Sequence, residues 1–221
     1  VAEGLPLKRI GTLVATPLNS LVVLADGPVK SIADLKGRKV GYSVGGLEQA
    51  ILGMMLEKHG VTLKDVALVN VNFSLSPALI AGQVDAVIGA YRNFELNQMA
   101  IEKRPGRAFF VEEEGVPAYD ELIFVAHNDR LADPALRRFV DAIETGTRYI
   151  VNHPVEAWTL FLKGRKELDD ELNRRAWSDT RTRFAHRPAA LDTARYEGFA
   201  RFLAARGLIP KALPASDYAL E

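Results

Sequence analysis

The stretch VGYSVGGLEQAILGMMLEKHG, residues 40–60, sets the architecture of this chain. A strand-like opening runs into the paired glycines Gly45 and Gly46, and a helical run then closes on Gly60. Leu47, Ala50, Ile51, Met54 and Met55 recur at the spacing of one apolar helix face, and Gly60 suits the left-handed residue that ends a helix. A loop carrying Ser43, Gly45 and Gly46 therefore sits where a strand passes the chain to a helix. Helix starts present unpaired N–H groups and a partial positive charge, and glycine lets a ligand approach the backbone. The alternative is that the glycine pair only shapes a tight turn. Neither G-x-x-x-x-G-K-[ST] nor G-x-G-x-x-G is present, so no nucleotide-binding signature explains the loop.

Working outward, short apolar runs alternate with helical ones through the first 127 residues, which predicts an α/β sheet with mainly parallel pairing. The expected strands are 10–15, 20–25, 38–43, 66–72, 85–90, 108–112 and 121–127. Ser31 with Asp34 reads as a helix cap, and SPALIAGQ places Ser76 as a cap, Pro77 at the first helical position and Gly82 past the last turn. Beyond His127 the pattern becomes helical. Asp133 and Pro134 open a long helix that stops before Pro154, with Leu136, Phe139, Val140, Ile143, Thr147 and Ile150 on one face. Two further helical runs close on Gly164 and Gly207. A sheet region followed by a helical tail suggests two lobes.

Composition narrows the function. The 221 residues hold 28 Lys plus Arg and 28 Asp plus Glu, so the formal charge is zero and nothing global favours nucleic acid or an anionic membrane. Cysteine is absent, which excludes disulfides, thiolate metal sites and cysteine nucleophiles. No apolar run approaches the ~20 residues of a membrane helix. The chain opens without Met, as a processed or truncated protein would. There is no G-x-S-x-G, H-E-x-x-H or EF-hand loop. His59, His127, His153 and His186 lack metal-ligand spacing, which favours structural or surface roles. RTRFAHR, residues 181–187, reads as a solvated turn rather than an anion patch.

Two further stretches carry candidate chemistry. DAVIGAYRNFELNQM, residues 85–99, runs a strand of small and branched residues into Tyr91, Arg92, Asn93 and Glu95, at the carboxyl end where ligands of α/β sheets bind. Glu95 equally suits the first turn of the next helix. EEEGVPAYDELIFVAH, residues 112–127, passes a Gly-x-Pro turn and enters a strand, with Tyr119 and Asp120 expected at a hinge.

TPLNSLVVLADGPVKSIADLKGRKVGYSVGG, SPALIAGQVDAVIGAYRNFE and EGVPAYDELIFVAHND together resemble the solute-binding proteins of ABC importers, in the subfamily that binds pyrimidine precursors of thiamine. SIADLKGRKVGYS marks the superfamily, whereas PLNSL, GAYRNFE and GVPAYDEL are closer to the pyrimidine branch. The resemblance implies the type II periplasmic-binding-protein fold, with two lobes of mixed sheets flanked by helices, a helical C-terminal tail and a ligand held between the lobes. It assigns residues 1–26 and 118–221 to the first lobe and 27–117 to the second. It also implies that the first lobe is incomplete, because members carry an opening β/α portion, with stacking aromatics, before the segment matching GLPLK.

By that resemblance Glu95 matches a carboxylate that accepts from a pyrimidine amino group, and the Ser43, Gly45 and Gly46 loop lines the cleft. Asn19, Tyr91, Asn93 and Tyr119 complete the expected ligand contacts. The implied partners are a small pyrimidine and membrane-embedded ABC permease subunits, with no nucleic acid, no cofactor and no metal. The implied location is periplasmic or lipid-anchored outside the cytoplasm. One alternative is a pyrimidine synthase of the same fold, disfavoured because that branch carries a cysteine-rich motif. Others are a binder of an alkanesulfonate or nitrate, and the ligand-sensing domain of a transcription regulator.

Overall fold

Runs rich in Val, Ile and Leu favour the pleated, buried surface of a strand. In the computed structural model, which describes residues 4–220, they form seven strands: β1 (Leu7–Val14), β2 (Asn19–Leu24), β3 (Lys39–Tyr42), β4 (Ala67–Asn70), β5 (Ala86–Tyr91), β6 (Gly106–Phe110) and β7 (Leu122–His127). The helices are α1 (Leu47–Lys58), α2 (Leu75–Ile80), α3 (Glu95–Ile101), α4 (Pro134–Asn152), α5 (Pro154–Phe161), α6 (Glu171–Arg181) and α7 (Thr193–Ala205). None of the described helices is long and apolar enough to cross a membrane.

The chain forms two units, one of residues up to Thr16 and from Pro117 onward, the other Pro17–Val116. The first crossing therefore falls at 16/17, not at the expected 26/27. The reason is β2, which lies inside the five-stranded sheet of the second unit, in the order β4-β3-β5-β2-β6. That sheet is mixed rather than mainly parallel: β3 pairs parallel with β4 and β5, while β2 runs antiparallel to both β5 and β6. Between β2 and β3 there is one 3-10 turn (Ile32–Leu35) and no α-helix to carry the chain back across the sheet, so β3 runs opposite to β2. Three βαβ steps follow, and right-handed crossovers put α1 on one face and α2 with α3 on the other. Leu75, Ala78, Leu79 and Met99 accordingly share a core with Val22, Val84 and Val87.

In the first unit β1 and β7 pair antiparallel, and α4 to α7 belong to the same unit. Asp133 caps α4 by accepting from the Ala135 N–H at 2.8 Å, as its sequence predicts. The second crossing falls at 116/117, just ahead of Tyr119 and Asp120, in the stretch expected to carry the chain between lobes. Asp120 accepts from Thr12 at 2.6 Å, Arg195 at 2.8 Å and Tyr196 at 2.9 Å. The 181–187 run is not a simple solvated turn, since Phe184 bridges Val14 and the Ala185 N–H donates to Leu13 at 2.8 Å.

Two local expectations are corrected. Ser74, not Ser76, stands at the cap position of α2; Ser76 is buried inside the helix. The left-handed residues Asn72 (φ 46°) and Phe73 (φ 62°) turn the chain early, so the helix begins before Ser76. In α1 Ala50, Ile51 and Met55 of the predicted face are buried, joined by Glu48, Leu52, Gly53 and Leu56, whereas Met54 is half-buried and Leu47 exposed.

Candidate functional site

Because β3, β4 and β5 run parallel, their carboxyl ends share one edge of the second unit's sheet. Antiparallel β2 brings its first residue, Asn19, to that edge, opposite Tyr91. This geometry gathers Asn19, Ser43, Gly45, Gly46, Tyr91, Asn93 and Glu95 at the same end of the sheet. Tyr119 is placed elsewhere: it belongs to the first unit, is buried, stacks on Phe199 at 4.7 Å and donates to Glu121 at 3.1 Å.

At the end of β3 the N–H groups of Ser43 and Val44 both donate to Glu48 Oε2, at 2.8 and 3.0 Å. Glu48 sits in the first turn of α1 and is only 7% exposed, so its charge is held by main-chain donors and the helix start. The carboxylate packs on Gly89, where a Cβ would overlap it and where φ is +97°. The Gly89 N–H in turn donates to Asn19 Oδ1 at 3.0 Å. Asn19, Gly89, Glu48 and the Ser43–Val44 turn are thus one interlocked unit. Ser43 Oγ accepts from the Phe73 N–H at 3.2 Å. Gly46 occupies the cap position of α1 with φ +81°, whereas a side chain at Gly45 would meet open space.

At the end of β5 the Tyr91 N–H donates to Glu95 Oε2 at 2.6 Å. Burial raises the Glu95 carboxyl above its ordinary range, and the amides of Tyr91 and of Glu95 itself pull it partly back. Asn93 is buried beside it, its carbonyl accepting from Asn97 at 3.0 Å. Arg92 forms a two-pronged pair with Glu112 at 2.7 and 2.8 Å, reaches the Asn19 carbonyl at 3.2 Å and lies 4.0 Å over the Phe110 ring. That clamp fixes the ends of β5, β2 and β6. Among the described residues no His, Cys, Asp and Glu group could hold a metal ion.

Sequence reasoning missed Glu48, Gly89 and Phe73. Glu48 interrupts an apolar stripe at helical spacing, and that interruption was its signal. Gly89 has no side chain to mark it. Phe73 is 78% exposed with a left-handed backbone, a conformation a sequence does not display for phenylalanine.

A cavity of about 440 Å³ lies in the first unit, walled by Leu7, Ile123, Val125, Phe199, Leu203 and Ile209. Its lining is chiefly hydrocarbon; Asp120 is engaged with Arg195 and Tyr196, and Arg9, Lys211 and Tyr218 also line it. The polar groups of the second unit, by contrast, lie together at the sheet edge.

The fold defines the class. The alkanesulfonate-binding protein SsuA of Xanthomonas axonopodis pv. citri superposes with a TM-score of 0.74 at 16% identity, over 99% of this chain and 75% of that one. SsuA of Escherichia coli, a periplasmic aliphatic sulphonate binding protein, gives 0.74 at 16% identity over 97% and 73%. The chain has the type II periplasmic solute-binding-protein fold.

Within that class it belongs to the NMT1/THI5-like family, whose model matches residues 1–157. A Haemophilus influenzae protein named for thiamine biosynthesis is 55% identical over all of this chain and 71% of its own length. The formylaminopyrimidine-binding protein of Halalkalibacterium halodurans is 32% identical over 77% of this chain and 52% of its own length. The 4-amino-5-hydroxymethyl-2-methylpyrimidine phosphate synthase of Schizosaccharomyces pombe is 24% identical over 84% and 56%. The chain thus spans little more than half the length of the last two.

Proposed function

We propose that this protein captures an aminopyrimidine precursor of thiamine and passes it unchanged to an ABC permease outside the cytoplasm. The observation that carries this reading is Glu95, a partly buried carboxyl at the carboxyl end of β5 that burial raises above its ordinary range. An aminopyrimidine presents an N–H donor beside a ring-nitrogen acceptor. A carboxylate accepts from the first, and a protonated carboxyl also donates to the second, so the pair closes on two hydrogen bonds. Asn19, Tyr91 and Asn93 stand at the same edge to orient the ring. The relative named for formylaminopyrimidine binding supports this ligand class. The reading involves binding and release, with no covalent step.

Calorimetric titration of the 221-residue chain with formylaminopyrimidine and hydroxymethylpyrimidine tests it. Binding is expected, and Glu95→Gln should weaken it by about 1–3 kcal/mol, the scale for mispairing a buried charged partner. No heat with either pyrimidine, alongside binding of an alkanesulfonate or nitrate, would move the protein to another ligand class. Unchanged affinity in Glu95→Gln would remove Glu95 from the site.

A further inference from the structure

Two main-chain N–H groups converging where a strand hands over to a helix form a concavity suited to an oxyanion. In this protein the two N–H groups, from Ser43 and Val44, point at the chain's own Glu48 carboxylate, 2.8 and 3.0 Å away. The seat is built for that carboxylate. Glu48 lies on the buried stripe of the 12-residue α1, and Gly89 supplies the gap that a Cβ would close. Asn19 pins Gly89 in place through its amide at 3.0 Å.

We propose that Glu48 is a specificity-determining residue of this sheet edge: its carboxylate occupies the oxyanion position and turns away sulfonates, sulfate and phosphate, reserving the edge for neutral or amino-bearing solutes. An incoming anion must displace a group tethered to the same turn, which competes intramolecularly for the N–H pair. It must also approach the Glu48 carboxylate against like-charge repulsion. An amino-bearing ring meets acceptors instead. The SsuA-like fold therefore carries here an edge whose charge opposes anionic cargo. This inference rests on the reading that the edge is the binding surface, and it names the class of solute excluded there.

Inorganic sulfate is the probe. Calorimetry is expected to show no sulfate binding by the wild-type chain, and Glu48→Ala is expected to bind sulfate at least about tenfold more tightly. Glu48→Gln should stay blind to sulfate, because its amide oxygen still fills the N–H pair. Sulfate binding by the wild type as tight as by Glu48→Ala, or a folded Glu48→Ala that ignores sulfate, overturns the proposal. Should Glu48→Ala fail to fold, the wild type decides alone: the amide resonances of Ser43 and Val44 must stay in place during a sulfate titration, and their movement overturns it. The pyrimidine titrations test the ligand reading separately. A chain that ignores pyrimidines yet passes the sulfate test loses only its ligand class.

Discussion

Glu95 and Glu48 show how one residue type does two jobs at adjacent strand ends. Glu48 is locked by two amides and by the shape of Gly89, so it sets the loop. Glu95 accepts from the Tyr91 amide and carries the cost of burial as a raised carboxyl. The sign of that cost is testable. A carboxyl raised in the fold keeps its proton at pH values where the unfolded chain has already lost it, so its contribution favours folding at low pH. The contribution fades as pH climbs from the ordinary 4.5 through the raised value. Thermal melts of the ligand-free protein across this window should therefore show a decline that Glu95→Gln flattens. An identical profile in the variant would mean that Glu95 titrates as an exposed group. Glu95 was legible in the sequence because a charged residue just past an apolar strand is conspicuous. Glu48 was not, because apolar periodicity does not mark a charge within the buried stripe.

At the scale of elements, the turn from β4 into α2 stands out. Asn72 and Phe73 both adopt left-handed backbone angles, which asparagine tolerates and phenylalanine does not. The Phe73 ring gains little burial in return, being 78% exposed, while its amide reaches Ser43 Oγ at 3.2 Å. Phe73→Gly should stabilise the protein by about 1 kcal/mol, read as a raised denaturation midpoint, because glycine adopts the conformation without a Cβ clash. A destabilised variant would show that the ring packs more than its exposure suggests. The strands themselves were readable from composition, since each expected run overlaps an observed strand. What misled was register. Ser76 with Pro77 resembles a cap and first turn, yet the tertiary bond between Phe73 and Ser43 accompanies a reversal at Asn72 that starts the helix sooner.

For the molecule as a whole, the long-range ties of the first unit run through Arg9. Its side chain is 1% exposed and donates to Pro188, Ala189, Ala190 and Leu220 carbonyls, at 2.9, 2.9, 2.6 and 3.0 Å, and to Thr12 at 2.9 Å. One guanidinium thus binds β1 to segments about 180 and 211 residues away. Arg9→Met retains volume but strands several buried carbonyls, so denaturation should report a loss of about 3 kcal/mol. A loss under about 1 kcal/mol would mean that water replaces the guanidinium. No local pattern announces this residue, because an arginine in a strand ordinarily reads as solvent-facing.

Sequence alone determined the order of the strands and of every helix but α6, the glycine turn after β3, the carboxyl-end position of Glu95 and the family resemblance. These follow from periodicity, capping chemistry and motifs, all of which act over a few neighbouring residues. Tertiary structure alone decided that β2 lies antiparallel inside the second sheet, that Tyr119 falls in a different unit from the other candidates, and that Glu48 fills the turn beside it. Each depends on which distant segment lies alongside: a strand's direction is set by where the chain enters the sheet, and a buried charge is tolerated only where donors converge on it.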